Sequence, residues 1–150
     1  MMKILIAASI AVWAIASPAL AEESVRVFDA WARATILASR PGAAYLTIES
    51  ASEDRLVGVT TPVAGHVMIH AIESDGAVSR MKHIETLVLP AGERITLAPG
   101  GMHLMLMGLQ DKLSEGTTFP MTLSFETAGE ITVEVSVLGI AAERPKEAAE

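Results

Sequence analysis

The side chains with the most chemistry to offer in this sequence are its histidines and methionines. The four histidines are His66, His70, His83 and His103, and beyond the first 21 residues the methionines are Met68, Met81, Met102, Met105, Met107 and Met121. Most are gathered in two short runs, His66-Val67-Met68-Ile69-His70 and Met102-His103-Leu104-Met105-Leu106-Met107. In an extended strand, residues two apart share a face. His66, Met68 and His70 therefore point one way and Val67 and Ile69 the other. His103, Met105 and Met107 likewise share a face, opposite Met102, Leu104 and Leu106. A thioether is a soft, neutral donor with no proton to lose, and soft sulfur selects Cu(I), whereas imidazole suits several metals. Thioethers and imidazoles together point to Cu(I) over zinc, calcium or magnesium. The chain has no cysteine, which removes thiolate ligands, the blue-copper electron-transfer centre and any redox dithiol. The donor set therefore fits copper that is carried better than copper used for electron transfer. Taken singly, a strand methionine is ordinarily core filling and a strand histidine a surface or hydrogen-bonded core residue. Met102 and Met121, set among apolar neighbours, are read as core, and Trp31 and Tyr45 as core or rim aromatics.

The elements that must position these groups are short β-branched runs between turn residues. Strands are expected at 24–35, 43–50, 55–61, 67–73, 83–89, 94–97, 102–109, 119–125 and 131–138, stopped at places by Pro90-Ala91-Gly92 and Pro99-Gly100-Gly101. Period-two runs at this spacing predict an all-β fold, a Greek-key β-barrel or sandwich in a single domain. Thr127-Ala128-Gly129-Glu130 predicts a tight hairpin between the last two strands.

Bulk properties narrow the class further. Lys3, the apolar run Ile4 to Ile15 and Ala19-Leu20-Ala21 have the form of a cleavable secretory signal, 1–21. The β-domain then occupies 22–140, and the charged, Ala-rich 141–150 is expected to be a frayed tail. This leader inflates the 51% hydrophobic content, and no other stretch approaches membrane-spanning length. The net charge of −7 becomes −8 once Lys3 is lost. An acidic domain without a basic run is a poor partner for nucleic acid. No phosphate-cradling glycine loop, nucleophile elbow or paired acid–base set marks it as an enzyme.

From His70, ten residues separate Met81, a further twenty-one separate His103, and one separates Met105. This His-x10-Met-x21-His-x-Met spacing resembles the periplasmic copper chaperone PCu(A)C family. Asp29-Ala30-Trp31-Ala32-Arg33-Ala34, Ala43-Ala44-Tyr45-Leu46, Leu89-Pro90-Ala91-Gly92 and, most specifically, Pro99-Gly100-Gly101-Met102-His103-Leu104-Met105-Leu106-Met107-Gly108-Leu109 carry the same resemblance, which covers nearly all of 24–138. It implies a cupredoxin-like β-fold and one Cu(I) held by His70, Met81, His103 and Met105. It also implies a periplasmic location and delivery of copper towards the CuA site of cytochrome c oxidase, with oxidase subunit II or a Sco-type protein as acceptor.

Two departures accompany the resemblance. Family members often carry Arg-Pro after the Met81 position, where this chain has Lys82-His83. Some members carry a His- and Met-rich C-terminal tail, and residues 141–150 contain neither residue. One main copper site is therefore expected, with His66, Met68 and His83 as a candidate weaker auxiliary site. The main ligands would come from one strand, from a loop or hairpin near Met81, and from the strand at 103–105. Periplasmic copper storage or resistance would use the same site without a dedicated acceptor. A β-sandwich interaction module would want a face of exposed aromatics, and this chain is poor in them.

Overall fold

The structure is a computed structural model that describes residues 24–143. The signal-peptide reading and most of the expected tail lie outside these residues. Ten strands are present: β1 (Val25–Arg33), β2 (Gly42–Ser50), β3 (Asp54–Thr60), β4 (Ala64–Ser74), β5 (Ser79–Ile84), β6 (Leu87–Leu89), β7 (Arg94–Leu97), β8 (His103–Leu109), β9 (Thr118–Phe125) and β10 (Gly129–Leu138). No helix occurs among the described residues, as the period-two pattern requires.

The strands form one continuous hydrogen-bonded path, β5-β4-β8-β2-β1-β10-β9-β3-β6, with β7 also paired to β2. The path folds over on itself, bringing β3 close to β4. Neighbours in space are mostly not neighbours in sequence, which matches the cupredoxin-like Greek-key sandwich that the resemblance implies. Strand β1 links the two layers. Val25 to Phe28 pair with β2 alone, Trp31 and Ala32 pair with both β2 and, in parallel, β10, and Arg33 pairs with β10. Between these halves two residues of β1 face one of β2, and the bulge residue Asp29 takes the left-handed conformation, φ 54°. Such a bulge bends and twists a strand, which lets one strand serve both layers.

The inward-facing positions of the strands fill the core: Leu46 and Ile48 of β2, Leu56 of β3, Ile69 of β4, Leu104 and Leu106 of β8, Met121 and Leu123 of β9, and Val135 and Val137 of β10. Met121 is fully buried and Met102 packs partly buried against this cluster, as core residues should.

The expected strand at 83–89 is two strands. β5 pairs with β4 at one edge of the sheet and β6 pairs with β3 at the other. The side chains record the break. Ile84 packs inward, but Leu87 and Leu89 are the next inward residues, so the inward phase changes from even to odd numbers across Glu85-Thr86. A strand changes phase in this way only through a bulge or a break, and here the pairing itself breaks.

The hairpin expected near 127–130 is present. Phe125 pairs with Gly129, whose φ of 80° is one that a side chain resists. Asp54, buried at 4% exposure, clamps this turn. Its Oδ1 accepts from the backbone N–H of Arg55 at 2.7 Å and Thr127 at 2.9 Å, and its Oδ2 from Ala128 N–H at 2.9 Å. Burial pushes this carboxyl up, but the backbone N–H groups of Thr127, Arg55 and Ala128 outweigh that and hold it below the usual carboxylate range. At the far end of the domain, Arg33 Nε donates to the Ala142 carbonyl at 2.7 Å.

Candidate metal centre

Two tight turns set the site. Strand β4 turns back into β5 through Asp75 to Val78, where Gly76 has φ 90° and the Asp75 carboxylate accepts from the Val78 N–H at 3.2 Å. Asp-Gly is a residue pair made for such a turn. The register it imposes pairs Ile72 with Met81, Ala71 with Lys82, and His70 with His83. Strand β8 is entered through Ala98-Pro99-Gly100-Gly101, closed by Gly101 N–H donating to the Ala98 carbonyl at 3.0 Å, with Gly100 at φ 85°. Pro then Gly at the two central positions is the requirement of a type II turn. The β4–β8 register then pairs His70 with His103, Met68 with Met105, and His66 with Met107.

Directly paired residues point to the same face of a sheet. The result is a grid of donors on the outward face, behind which Ile69, Leu104 and Leu106 enter the core. Its central row runs His83, His70, His103 across β5, β4 and β8. The neighbouring row holds Met68 and Met105. Met81 stands on the other side of the central row, 60% exposed. His66 and Met107 form the outermost row, with His66 exposed.

His70 is the centre of the arrangement. Its ring centroid lies 5.7 Å from that of His83 and 5.7 Å from that of His103, edge-on to both at 89°. Its Nδ1 is buried and has no hydrogen-bond partner. An orphaned buried polar atom is uncommon in a folded protein and calls for a missing partner. Burial, followed by repulsion from His103 and then His83, pushes its pKa below the ordinary imidazole value. At neutral pH the ring is neutral, with a lone pair available to a metal.

His103 is 7% exposed, with Nδ1 3.3 Å from the Gly101 carbonyl. With the proton on Nδ1 the ring donates to that carbonyl and presents Nε2 as a ligand, the usual way a ligating imidazole is oriented. Trp31 and Tyr45 are buried and stacked, with ring centroids 4.5 Å apart. Ala43 pairs with Met105, and Tyr45 lies two residues on along β2, so this aromatic pair shares the outward face with the donors. Burial raises the Tyr45 phenol, opposed by the Arg33 guanidinium 5.9 Å over its ring.

The structure thus brings His70, His103 and Met105 together on adjacent paired positions. It places Met81 on the same face one strand away, in a hairpin strand. Two residues that the spacing assigned only to an auxiliary site stand closer to the centre than expected: His83 directly opposite His70, and Met68 directly opposite Met105. Among the described residues no three His, Cys, Asp or Glu side chains converge as a metal-binding group; the donors gathered beside His70 and His103 include the thioether sulfurs of Met105 and Met68.

An all-β domain carrying imidazoles and thioethers on one outward face has the architecture of a β-sandwich with a soft donor set. Residues 25–137 match the family described as "Putative lipoprotein LpqE-like", and the chain belongs to it. It is 31% identical over 124 residues to "Putative lipoprotein Lxx21020" of Leifsonia xyli subsp. xyli, covering 81% of this chain and 74% of that one. Among solved structures it is similar to the apo PCuAC domain of PmoF2, with TM-score 0.67, 26% identity, and coverage of 81% of this chain and 95% of that one. It is similar to the copper-bound PCuAC domain of PmoF2, with TM-score 0.65, 28% identity, and coverage of 77% and 93%. It is also similar to the Cu(I) form of DR1885 from Deinococcus radiodurans, with TM-score 0.60, 29% identity, and coverage of 86% and 85%.

Proposed function

We propose that this protein is an exported copper carrier of the bacterial envelope that binds one Cu(I) through His70, Met81, His103 and Met105. It passes the ion to a cysteine-bearing acceptor. The observation that carries the reading is His70: a neutral imidazole with an orphaned Nδ1, paired with His103, in the row beside Met105. The likeness to PCuAC domains seen with copper supports it.

The donor set fits the ion. Two thioethers and two imidazoles are soft to borderline and neutral, so the bound site keeps the single positive charge of Cu(I). Rigid β-strands hold His70, His103 and Met105, and the leucines behind them exclude water from the back of the site. Met81, exposed on the hairpin strand, is the donor through which an acceptor first reaches the metal. Thiolates are better Cu(I) donors than thioethers or imidazoles, so ligand exchange runs downhill to a Cys-containing protein. The CuA domain of cytochrome c oxidase subunit II and Sco-type proteins have that chemistry, and a periplasmic location brings them within reach.

The test is transfer. Cu(I)-loaded protein is mixed anaerobically with an apo CuA domain, the two are separated, and copper is measured in each. Copper is expected on the acceptor. Copper that stays on the donor over hours contradicts delivery and favours storage.

A further inference from the structure

His83 is the imidazole directly opposite His70 that the four-ligand site leaves unused. It is exposed on the edge strand β5, directly paired with His70, and its ring centroid is as close to His70 as that of His103, 5.7 Å. Two imidazoles bound to one ion through bonds of about 2 Å place their ring centroids roughly 4–6 Å apart. Both pairs meet that requirement, His70 with His103 and His70 with His83. The three rings do not converge on one point among the described residues, because His83 and His103 flank His70 from opposite sides. One central imidazole is thus offered two alternative partners.

The two sides differ in chemistry. Towards His103 the surroundings are dry, with His103 itself buried, and Met105 and Met68 supply sulfur in the next row. Towards His83 the surface is open to water. Thioether sulfur selects Cu(I), while imidazole nitrogen with water oxygen in a tetragonal arrangement suits Cu(II).

We propose that His70 and His83 form a second copper position, open to solvent and selective for Cu(II), which shares His70 with the Cu(I) site. The two positions cannot be filled together, since each requires the His70 lone pair. The protein therefore holds one copper ion at a time, in either oxidation state, at adjacent seats. This inference rests on the Cu(I) site proposed above.

The test is titration of the purified exported protein, with Cu(II) followed by electron paramagnetic resonance and with Cu(I) anaerobically against a competing chelator. His83→Ala and His66→Ala are measured beside the unaltered protein. Both residues are exposed, so neither change threatens the fold. The expected results are a tetragonal Cu(II) signal with nitrogen and oxygen ligands and a Cu(II) affinity at least about tenfold weaker in His83→Ala. Cu(II) affinity in His66→Ala and Cu(I) affinity in His83→Ala should both stay within about threefold. Cu(II) binding that survives His83→Ala, or falls equally in His66→Ala, overturns the proposal. Equal loss of Cu(I) and Cu(II) in His83→Ala also overturns it, by placing His83 in the Cu(I) seat. Failure of the unaltered protein to bind Cu(I) would instead sink the function proposed above.

Discussion

Replacing Asp54 by Asn removes one charge while keeping the shape of the side chain, and the cost can be worked out from the hydrogen bonds at stake. Asp54 accepts three backbone N–H groups, from Arg55, Thr127 and Ala128, at 2.7, 2.9 and 2.9 Å. An Asn can keep its oxygen at only one of the two positions. With the oxygen facing Arg55 and Thr127, its amide N–H confronts the Ala128 N–H, donor against donor. One hydrogen bond to a charged group is lost, worth about 1.5–3 kcal/mol, and two others weaken to neutral strength. The expected cost is about 2–4 kcal/mol. For a domain of this size each kcal/mol lowers the thermal midpoint by roughly 3–5 °C, so Tm should fall by about 10 °C at pH 7. The pH dependence has a definite sign. The folded-state pKa of Asp54 lies below its ordinary value, so its contribution is present above the unfolded carboxylate pKa, about 3.9. It is lost as pH falls through the folded value. The gap between the two proteins should therefore be full at neutral pH and shrink in acid. Thermal unfolding by circular dichroism from pH 7 to pH 3 measures both. Equal midpoints at pH 7, or a gap that widens in acid, would refute the reasoning. Cu(I) affinity of the folded variant should be unchanged, because the clamp lies on the β9–β10 hairpin and not on the donor strands.

Three further outcomes are expected from the donor grid. Met81→Leu keeps an apolar side chain of similar size at a position 60% exposed, so stability should stay within about 0.5 kcal/mol, while Cu(I) affinity should fall at least about tenfold in a chelator competition. Leu104→Ala empties a position with no exposure directly behind the donors, and should cost about 2–5 kcal/mol in a denaturant titration. His70 has a depressed folded-state pKa, so the copper-free protein should lose stability as pH falls from about 6.5, the unfolded imidazole value, towards the folded one. His70→Gln should flatten that part of the profile.

Much of the site is legible in the sequence, because strand alternation is local. His66, Met68 and His70 share a face whatever β4 pairs with, and the same holds for His103, Met105 and Met107. The all-β class comes from the same period. What local pattern does not carry is register across strands. His83 meets His70, and Met68 meets Met105, only because the Asp75-Gly76 turn and the long crossover to β8 set those registers. His83 is therefore auxiliary by spacing and stands beside the centre in space. The break at Glu85-Thr86 is visible in principle, since the apolar phase changes between Ile84 and Leu87. Continuous β propensity from 83 to 89 conceals it. The clamp of Asp54 on a turn some 70 residues away leaves no mark in local sequence.

The most direct test of the central claim is an anaerobic Cu(I) titration of the purified protein against a chromophoric chelator, beside His70→Ala and Met105→Ala. One ion bound per chain, with binding lost in both variants, is the predicted result. No binding, or binding that survives both substitutions, would contradict the assignment of the metal centre to this face.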